Sequence, residues 1–222
     1  MSAPASDLRE ADVPGGGAAL SAAVGSDAAP LGAALRGAAF HYARLLANGH
    51  RAAHEVERAL AATPGDRVLD LGCGAGGFSA VVPGEYVGLD LNPNYIAFAR
   101  RRFGNARRRF ELRPLAELDG RERFDRAIMA SVLHHLADDE ADAVLALLAR
   151  IVRTRLVVLD LDPESANRLQ AFLMAHDRGA FVRPPAAQRA ILARHFDVVA
   201  ERRFAIVTRL AVHTLFTCKA RR

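Results

Sequence analysis

Lysine is almost missing from these 222 residues: Lys219 is the only one, and, histidine aside, every other basic residue is an arginine. Cysteine is scarce as well, with only Cys73 and Cys218. Neither has a second cysteine or a histidine at metal-ligand spacing, so neither a disulfide framework nor a metal centre is expected. No apolar run is long enough to span a membrane. The first residues carry mixed charges with no apolar stretch behind them, which argues against a signal peptide and for a soluble, cytoplasmic protein. No internal repeat is present. The net charge is +5 and the isoelectric point about 10, a balance that raises nucleic acid as a partner. The densest basic clusters, Arg100-Arg101-Arg102 and Arg107-Arg108-Arg109, have no aromatic ladder beside them. They read as a solvated helix end and turn, and the preference for arginine over lysine as a compositional bias.

What is present divides the chain in two. Residues 1–29 are rich in Ala, Gly, Ser and Pro and have little to bury, so they read as a flexible tail. Residues 30–222 read as one domain with a sizeable core. The pattern predicts helices over 31–47 and 50–62, split by Asn48-Gly49, then a strand over 67–71 and a short helix over 76–82 closed by Pro83-Gly84. A strand over 86–91 follows, and Asn92-Pro93 opens a helix to about residue 102. Further strands are predicted at 109–112, 124–130 and 155–161, with a helix over 139–152 whose acidic start suits the helix dipole. Helices over 164–177 and 185–195 precede two final strands, 197–204 and 209–217, expected to form an antiparallel pair at the sheet edge. Near-continuous apolar strands alternating with helices imply an α/β, doubly wound sheet covered on both faces.

The richest segment is Val68-Leu69-Asp70-Leu71-Gly72-Cys73-Gly74-Ala75-Gly76-Gly77. An apolar strand ends in an acid and breaks into glycines, where a ligand can touch the backbone. Gly72-x-Gly74-x-x-Gly77 also satisfies the dinucleotide fingerprint, and Asp90, about twenty residues past Asp70, suits the ribose in either case. Asp70 separates the two readings: a carboxylate there faces a cationic or multiply hydrogen-bonding ligand better than a pyrophosphate.

With Asp70, Gly72, Gly74 and Gly76 in its fixed positions, the segment resembles the D-x-G-x-G-x-G motif of class I S-adenosylmethionine-dependent methyltransferases. Val87-Gly88-Leu89-Asp90-Leu91-Asn92-Pro93 resembles the second motif of that family, and Phe124 to Leu136, ending Val132-Leu133-His134-His135-Leu136, its fourth strand and following loop. The resemblance covers roughly residues 50–220 and implies a Rossmann-like sheet, mostly parallel, with an antiparallel C-terminal strand pair. It implies S-adenosyl-L-methionine as cofactor, with Asp70 and the loop Gly72, Cys73, Gly74 and Gly76 around the methionine portion. It also places Asp90 and Leu91 at the ribose, and Met129 and Ser131 along the methyl-transfer region. One departure is visible. Many members carry an acid after the third strand, whereas here the chain reads Leu112-Arg113-Pro114-Leu115-Ala116, so the adenine is expected to be held by backbone groups near Leu115 and by apolar contacts.

Imidazole titrates near neutrality, which makes His134 and His135 candidate catalytic bases. The acceptor is read as a small molecule placed by residues 164–195, and an anionic one if Arg178 or Arg183 clamps it. Phe40-His41-Tyr42-Ala43-Arg44 is a candidate lid. Met129-Ala130-Ser131-Val132 lacks the N-P-P-Y-like run of enzymes that methylate exocyclic amines of nucleic-acid bases. The alternatives are an NAD(P)-dependent oxidoreductase and a non-catalytic cofactor- or RNA-binding module. The pattern fixes neither the acceptor nor the oligomeric state.

Overall fold

A computed structural model describes residues 51–118, 122–164, 181–205 and 212–221. The expected tail, the helices over 31–47 and 164–177, the lid around Phe40, and Arg178 lie outside these residues. Strands β1 (Arg67–Leu71), β2 (Glu85–Asp90), β3 (Arg108–Leu112), β4 (Phe124–Ala130), β5 (Val152–Leu161), β6 (Phe196–Ala205) and β7 (Val212–Ala220) form one sheet in the order β3-β2-β1-β4-β5-β7-β6. β1 to β5 run parallel, and β7 lies antiparallel between β5 and β6. The expected edge pair is present. The strand order reverses between β1 and β4, and in open α/β sheets that crevice is where ligands bind.

Each face has its own core. Helices α1 (Arg51–Leu60) and α2 (Pro93–Phe103) cover one face, with Val56, Leu60, Ile96 and Ala99 packed on Val68, Tyr86 and Ile128. Helices α3 (Asp138–Ile151) and α4 (Pro185–His195) cover the other, with Leu145, Leu148, Ile191 and Leu192 packed on Leu69, Met129 and Val158. Fully burying one such Leu or Ile side chain stabilises by about 1.5–3 kcal/mol. The central strands β1, β2, β4 and β5 send side chains into both cores, which is why they read as apolar runs, whereas the edge strands β3 and β6 bury few residues.

Helix ends follow their chemistry. Asn92 caps α2, its side chain accepting from the N–H groups of Asn94 (2.9 Å) and Tyr95 (3.4 Å), and Pro93 takes the first turn. Glu140 reaches back to the N–H of Ala137 before α3. The C-terminal carbonyls of α1 meet two arginines from the sheet: Arg126 donates to Leu60 O and Arg155 to Ala59 O, each at 2.8 Å. Cations at a helix C-terminus oppose its dipole favourably.

The predicted helix over 76–82 is a correction. It is a 3-10 turn, Gly77–Val81, with Gly76 before it at φ 80°. Two glycines at its start, Val81-Val82 at its end and Pro83 beyond leave too little chain to propagate an α-helix. β5 starts at Val152, earlier than predicted, because α3 passes into it without a loop.

Candidate active site

The C-terminal ends of β1 and β2 form a cradle. Gly72 has φ +69°, and a Cβ there would lie 2.4 Å from Val132 Cγ2, so only glycine permits this backbone so close to the loop after β4. Gly76 has φ +80°, and its missing Cβ would fall 2.7 Å from the Phe110 ring. The N–H groups of Gly72 and Cys73 both donate to Leu89 O, at 2.8 and 2.9 Å, fastening the loop to the end of β2.

Asp90 is fixed from two sides. Its Oδ2 accepts from Gly74 N–H and its Oδ1 from Asn92 N–H, both at 2.8 Å. A carboxylate offers about four acceptor positions, so these two bonds orient the group and are compatible with binding a vicinal diol. Leu91 follows it, half-buried, at the same strand end. Asp70 is fully buried on the α1–α2 side, where its Oδ2 accepts from the Tyr86 hydroxyl at 2.5 Å. Burial, and next the Asp70 charge, push the Tyr86 phenol well above its usual range, so Tyr86 remains the donor. Cys73 is buried too, and burial together with Asp70 and Asp90 pushes its thiol well up, leaving a neutral, inert group.

A second cluster gathers at the ends of β4 and β5. Ser131 sits at φ +57°, an uncommon conformation for a side-chain-bearing residue, with its N–H donating to Leu159 O at 2.7 Å. Beyond it, a 3-10 turn, Leu133–His135, carries both histidines. His134 is buried, and its Nδ1 lies 2.5 Å from Asp160 Oδ1, while its backbone N–H donates to Asp160 Oδ2 at 3.1 Å. With Nδ1 donating to the carboxylate, Nε2 is the basic nitrogen of the ring. His135 is exposed, its ring centroid 4.1 Å from that of His134. Asp160 has no role in the sequence analysis, because its partner lies 26 residues away.

Other expected residues fall in different surroundings. The Met129 side chain is fully buried in the α3–α4 core, so only its backbone is placed at the strand end. Leu115 is buried in the same core, within a 3-10 turn, Leu115–Glu117. The neighbouring Leu112 is half exposed and pairs in register with Asp90, putting an apolar side chain beside the cradle. Arg113 turns away to Glu111, Glu122 and the carbonyl of Glu117. Arg183, a candidate clamp for an anionic acceptor, is a correction: its buried guanidinium is occupied by Asp138 and by the carbonyls of Leu133, Leu136 and Phe181. Among the described residues no cluster of histidine, cysteine and acids is arranged to hold a metal, and no helix is long and apolar enough to cross a membrane.

Residues 68–155 match the profile of a methyltransferase domain. The matched stretch runs from β1 into β5 and includes the glycine loop, Asp90 and the His134 turn. The fold of the chain is shared with solved methyltransferases. Magnesium protoporphyrin IX methyltransferase from Synechocystis PCC 6803 with bound S-adenosylhomocysteine is 20% identical over 89% of this chain and 90% of that one, with a TM-score of 0.62. The N-methyltransferase NodS from Bradyrhizobium japonicum WM9, also with S-adenosylhomocysteine, is 17% identical over 81% and 91%, with a TM-score of 0.67. Geranyl diphosphate C-methyltransferase from Streptomyces coelicolor A3(2) is 13% identical over 76% and 75%, with a TM-score of 0.62. No curated protein sequence matches the chain. The profile match favours the methyltransferase reading over the oxidoreductase alternative, in keeping with Asp70 and the antiparallel β6–β7 pair.

Proposed function

We propose that the domain transfers the methyl group of S-adenosylmethionine to a small-molecule acceptor gathered at the ends of β4 and β5. The observation that carries this reading is the contact between the two clusters. The glycine loop at Gly72 abuts Val132, two residues before the His134–Asp160 pair. A cradle suited to a diol-bearing cofactor therefore adjoins a buried imidazole and carboxylate. The described residues fit the cofactor: glycines at positive φ admit close backbone approach, and a pinned carboxylate suits the ribose hydroxyls.

When bound, the cofactor supplies a methyl group already activated on a sulfonium, so the protein's tasks are alignment and exclusion of water. Asp90 orients the ribose, and Asp70, held by Tyr86, sets the polarity beneath the loop. His134 Nε2 accepts the proton that a hydroxyl or amine acceptor loses as it attacks, while Asp160 holds Nδ1–H and stabilises the imidazolium. Exposed His135 faces the same region as the second imidazole. Small-molecule acceptors are supported by the Met129-Ala130-Ser131-Val132 segment, and by neighbours whose names specify a porphyrin and geranyl diphosphate.

The test is incubation with methyl-labelled cofactor and pools of small hydroxyl, amine, thiol and carboxylate compounds, with RNA and DNA in parallel. Label is expected in the small-molecule fraction, and for a hydroxyl or amine acceptor its transfer should collapse in His134→Gln. Label confined to nucleic acid would overturn the acceptor class, and full activity of His134→Gln would overturn the base.

A further inference from the structure

The described surface and core contain one arginine that is nearly as buried as the hydrophobic residues around it. Arg183 is 9% exposed. Its Nη1 donates to Leu133 O at 2.9 Å and to Phe181 O at 3.1 Å, and its Nη2 donates to Leu136 O at 2.7 Å. Its Nε and Nη2 reach Asp138 Oδ1 at 2.8 and 2.6 Å. Leu133 and Leu136 flank His134 and His135, so one guanidinium grips the turn on both sides of the imidazole pair. The carbonyl of His134 itself accepts from Phe181 N–H at 3.0 Å.

The grip closes into a ring. Gln188 Nε2 lies 2.7 Å from both Arg183 O and Leu161 O. Leu161 follows Asp160, and its N–H donates to Asp160 Oδ1 at 2.7 Å. Starting from His134, the path runs through the turn carbonyls to Arg183, through Gln188 to Leu161, and back to Asp160 and the His134 ring. The His134–Asp160 geometry is thus set by bonds from β5, α4 and the segment before α4, as well as by its own turn. A three-residue 3-10 turn has carbonyls with no partner inside it, and a planar fork with five N–H donors satisfies several at once. A lysine ammonium, a single point, does not span the same acceptors.

We propose that Arg183 is a positioning residue for methyl transfer, fixing the His134 ring against Asp160 so that its basic nitrogen is held toward the acceptor. This rests on the reading of His134 as base. Arg183 makes no contact with Asp70, Asp90 or the glycine loop, so cofactor binding serves as an internal control.

The experiment compares wild type, Arg183→Lys, Arg183→Met and the milder Asp138→Asn, which alters only the exposed end of the network. Two readouts do not need a known acceptor: the nitrogen–proton correlation of the His134 ring, assigned by its absence in His134→Gln, and calorimetric binding of S-adenosylhomocysteine. In wild type, a separate downfield proton at His134 Nδ1 is expected, shared with Asp160. It should broaden or vanish in Arg183→Met and Arg183→Lys, and weaken in Asp138→Asn. Amide exchange across 133–136 should quicken by about tenfold or more, and S-adenosylhomocysteine affinity should stay within about threefold. Should both Arg183 variants misfold, the Nδ1 signal of Asp138→Asn decides alone. A folded variant with faster exchange and an unchanged Nδ1 proton would overturn the proposal, leaving Arg183 a structural staple. If His134→Gln keeps full turnover, the base assignment fails, whereas the ring spectra still judge the positioning claim.

Discussion

The two halves of the site are built differently. At the ends of β1 and β2, the carboxylates are fixed from nearby in the chain: Asp90 by Gly74 and Asn92, and Asp70 by Tyr86, at separations of 2 to 16 residues. At the ends of β4 and β5, the imidazole is fixed from afar: His134 by Asp160 across 26 residues, and its turn by Arg183 across 47 to 50. The first half is backbone geometry with glycines as its signature, and the second is a side-chain network with no fixed spacing. In the proposed function the former holds the cofactor and the latter faces the acceptor.

The largest effect is expected where the halves touch. Gly72→Val would force a branched side chain into a left-handed backbone and onto Val132, costing about 3–5 kcal/mol and abolishing binding of S-adenosylhomocysteine. Thermal melting and calorimetry check both, and a stable, binding variant would mean that the halves are not in contact. Next, Asp160→Asn should lower turnover by about a hundredfold while changing cofactor affinity by less than about threefold, since general-base contributions run from about a hundredfold upward. Equal losses in both quantities would erase the distinction between the halves.

Within the cofactor half, Tyr86→Phe removes the donor to a buried carboxylate and should cost about 1–3 kcal/mol, read from urea unfolding. Its pH dependence has a definite sign. The Tyr86 phenol is raised in the folded state, by burial first and by Asp70 next. Wild-type stability from this group is therefore complete below the ordinary tyrosine value of about 10 and lost as pH rises toward the folded value, whereas Tyr86→Phe lacks that alkaline loss. A control outside both halves is Asp66→Asn at the opposite end of the sheet. Burial alone would raise the Asp66 carboxyl, but bonds from Thr63 and Arg126 and the Arg126 charge hold it below 3.8. The deficit, about 1 kcal/mol, should be present above 3.8 and vanish as pH falls through the folded value, with ligand binding unaffected. The smallest change is a gain: Ala61 ends α1 at φ +46°, and Ala61→Gly should stabilise by about 0.5–1 kcal/mol.

The same contrast explains what could be read in the sequence. Asp70, the three glycines and Asp90 were legible because a tight turn and a strand-end acid leave a local pattern. The sheet was legible because the central strands β1, β2, β4 and β5 place apolar residues in both cores, and the closing pair because β-type segments follow the last helix. Asp160 was not singled out, for its meaning depends on β4 lying beside β5. Arg183 stood with Arg178 as a candidate substrate clamp because an arginine in a loop looks the same in sequence whether it faces a ligand or four protein acceptors. Met129 sits at a site position by number, yet strand alternation sends its side chain to the core. The turn at Gly77–Val81 was drawn as a helix because composition does not separate a 3-10 turn from a short α-helix.

The most direct measurement is calorimetric titration of wild type and Asp90→Ala with S-adenosylhomocysteine, and of wild type with NADH. The account predicts that wild type binds S-adenosylhomocysteine and not NADH, and that folded Asp90→Ala loses about tenfold or more in affinity, as removal of charged hydrogen-bond acceptors implies. A folded wild type that binds NADH instead, or an Asp90→Ala variant that binds S-adenosylhomocysteine as tightly as wild type, would contradict it.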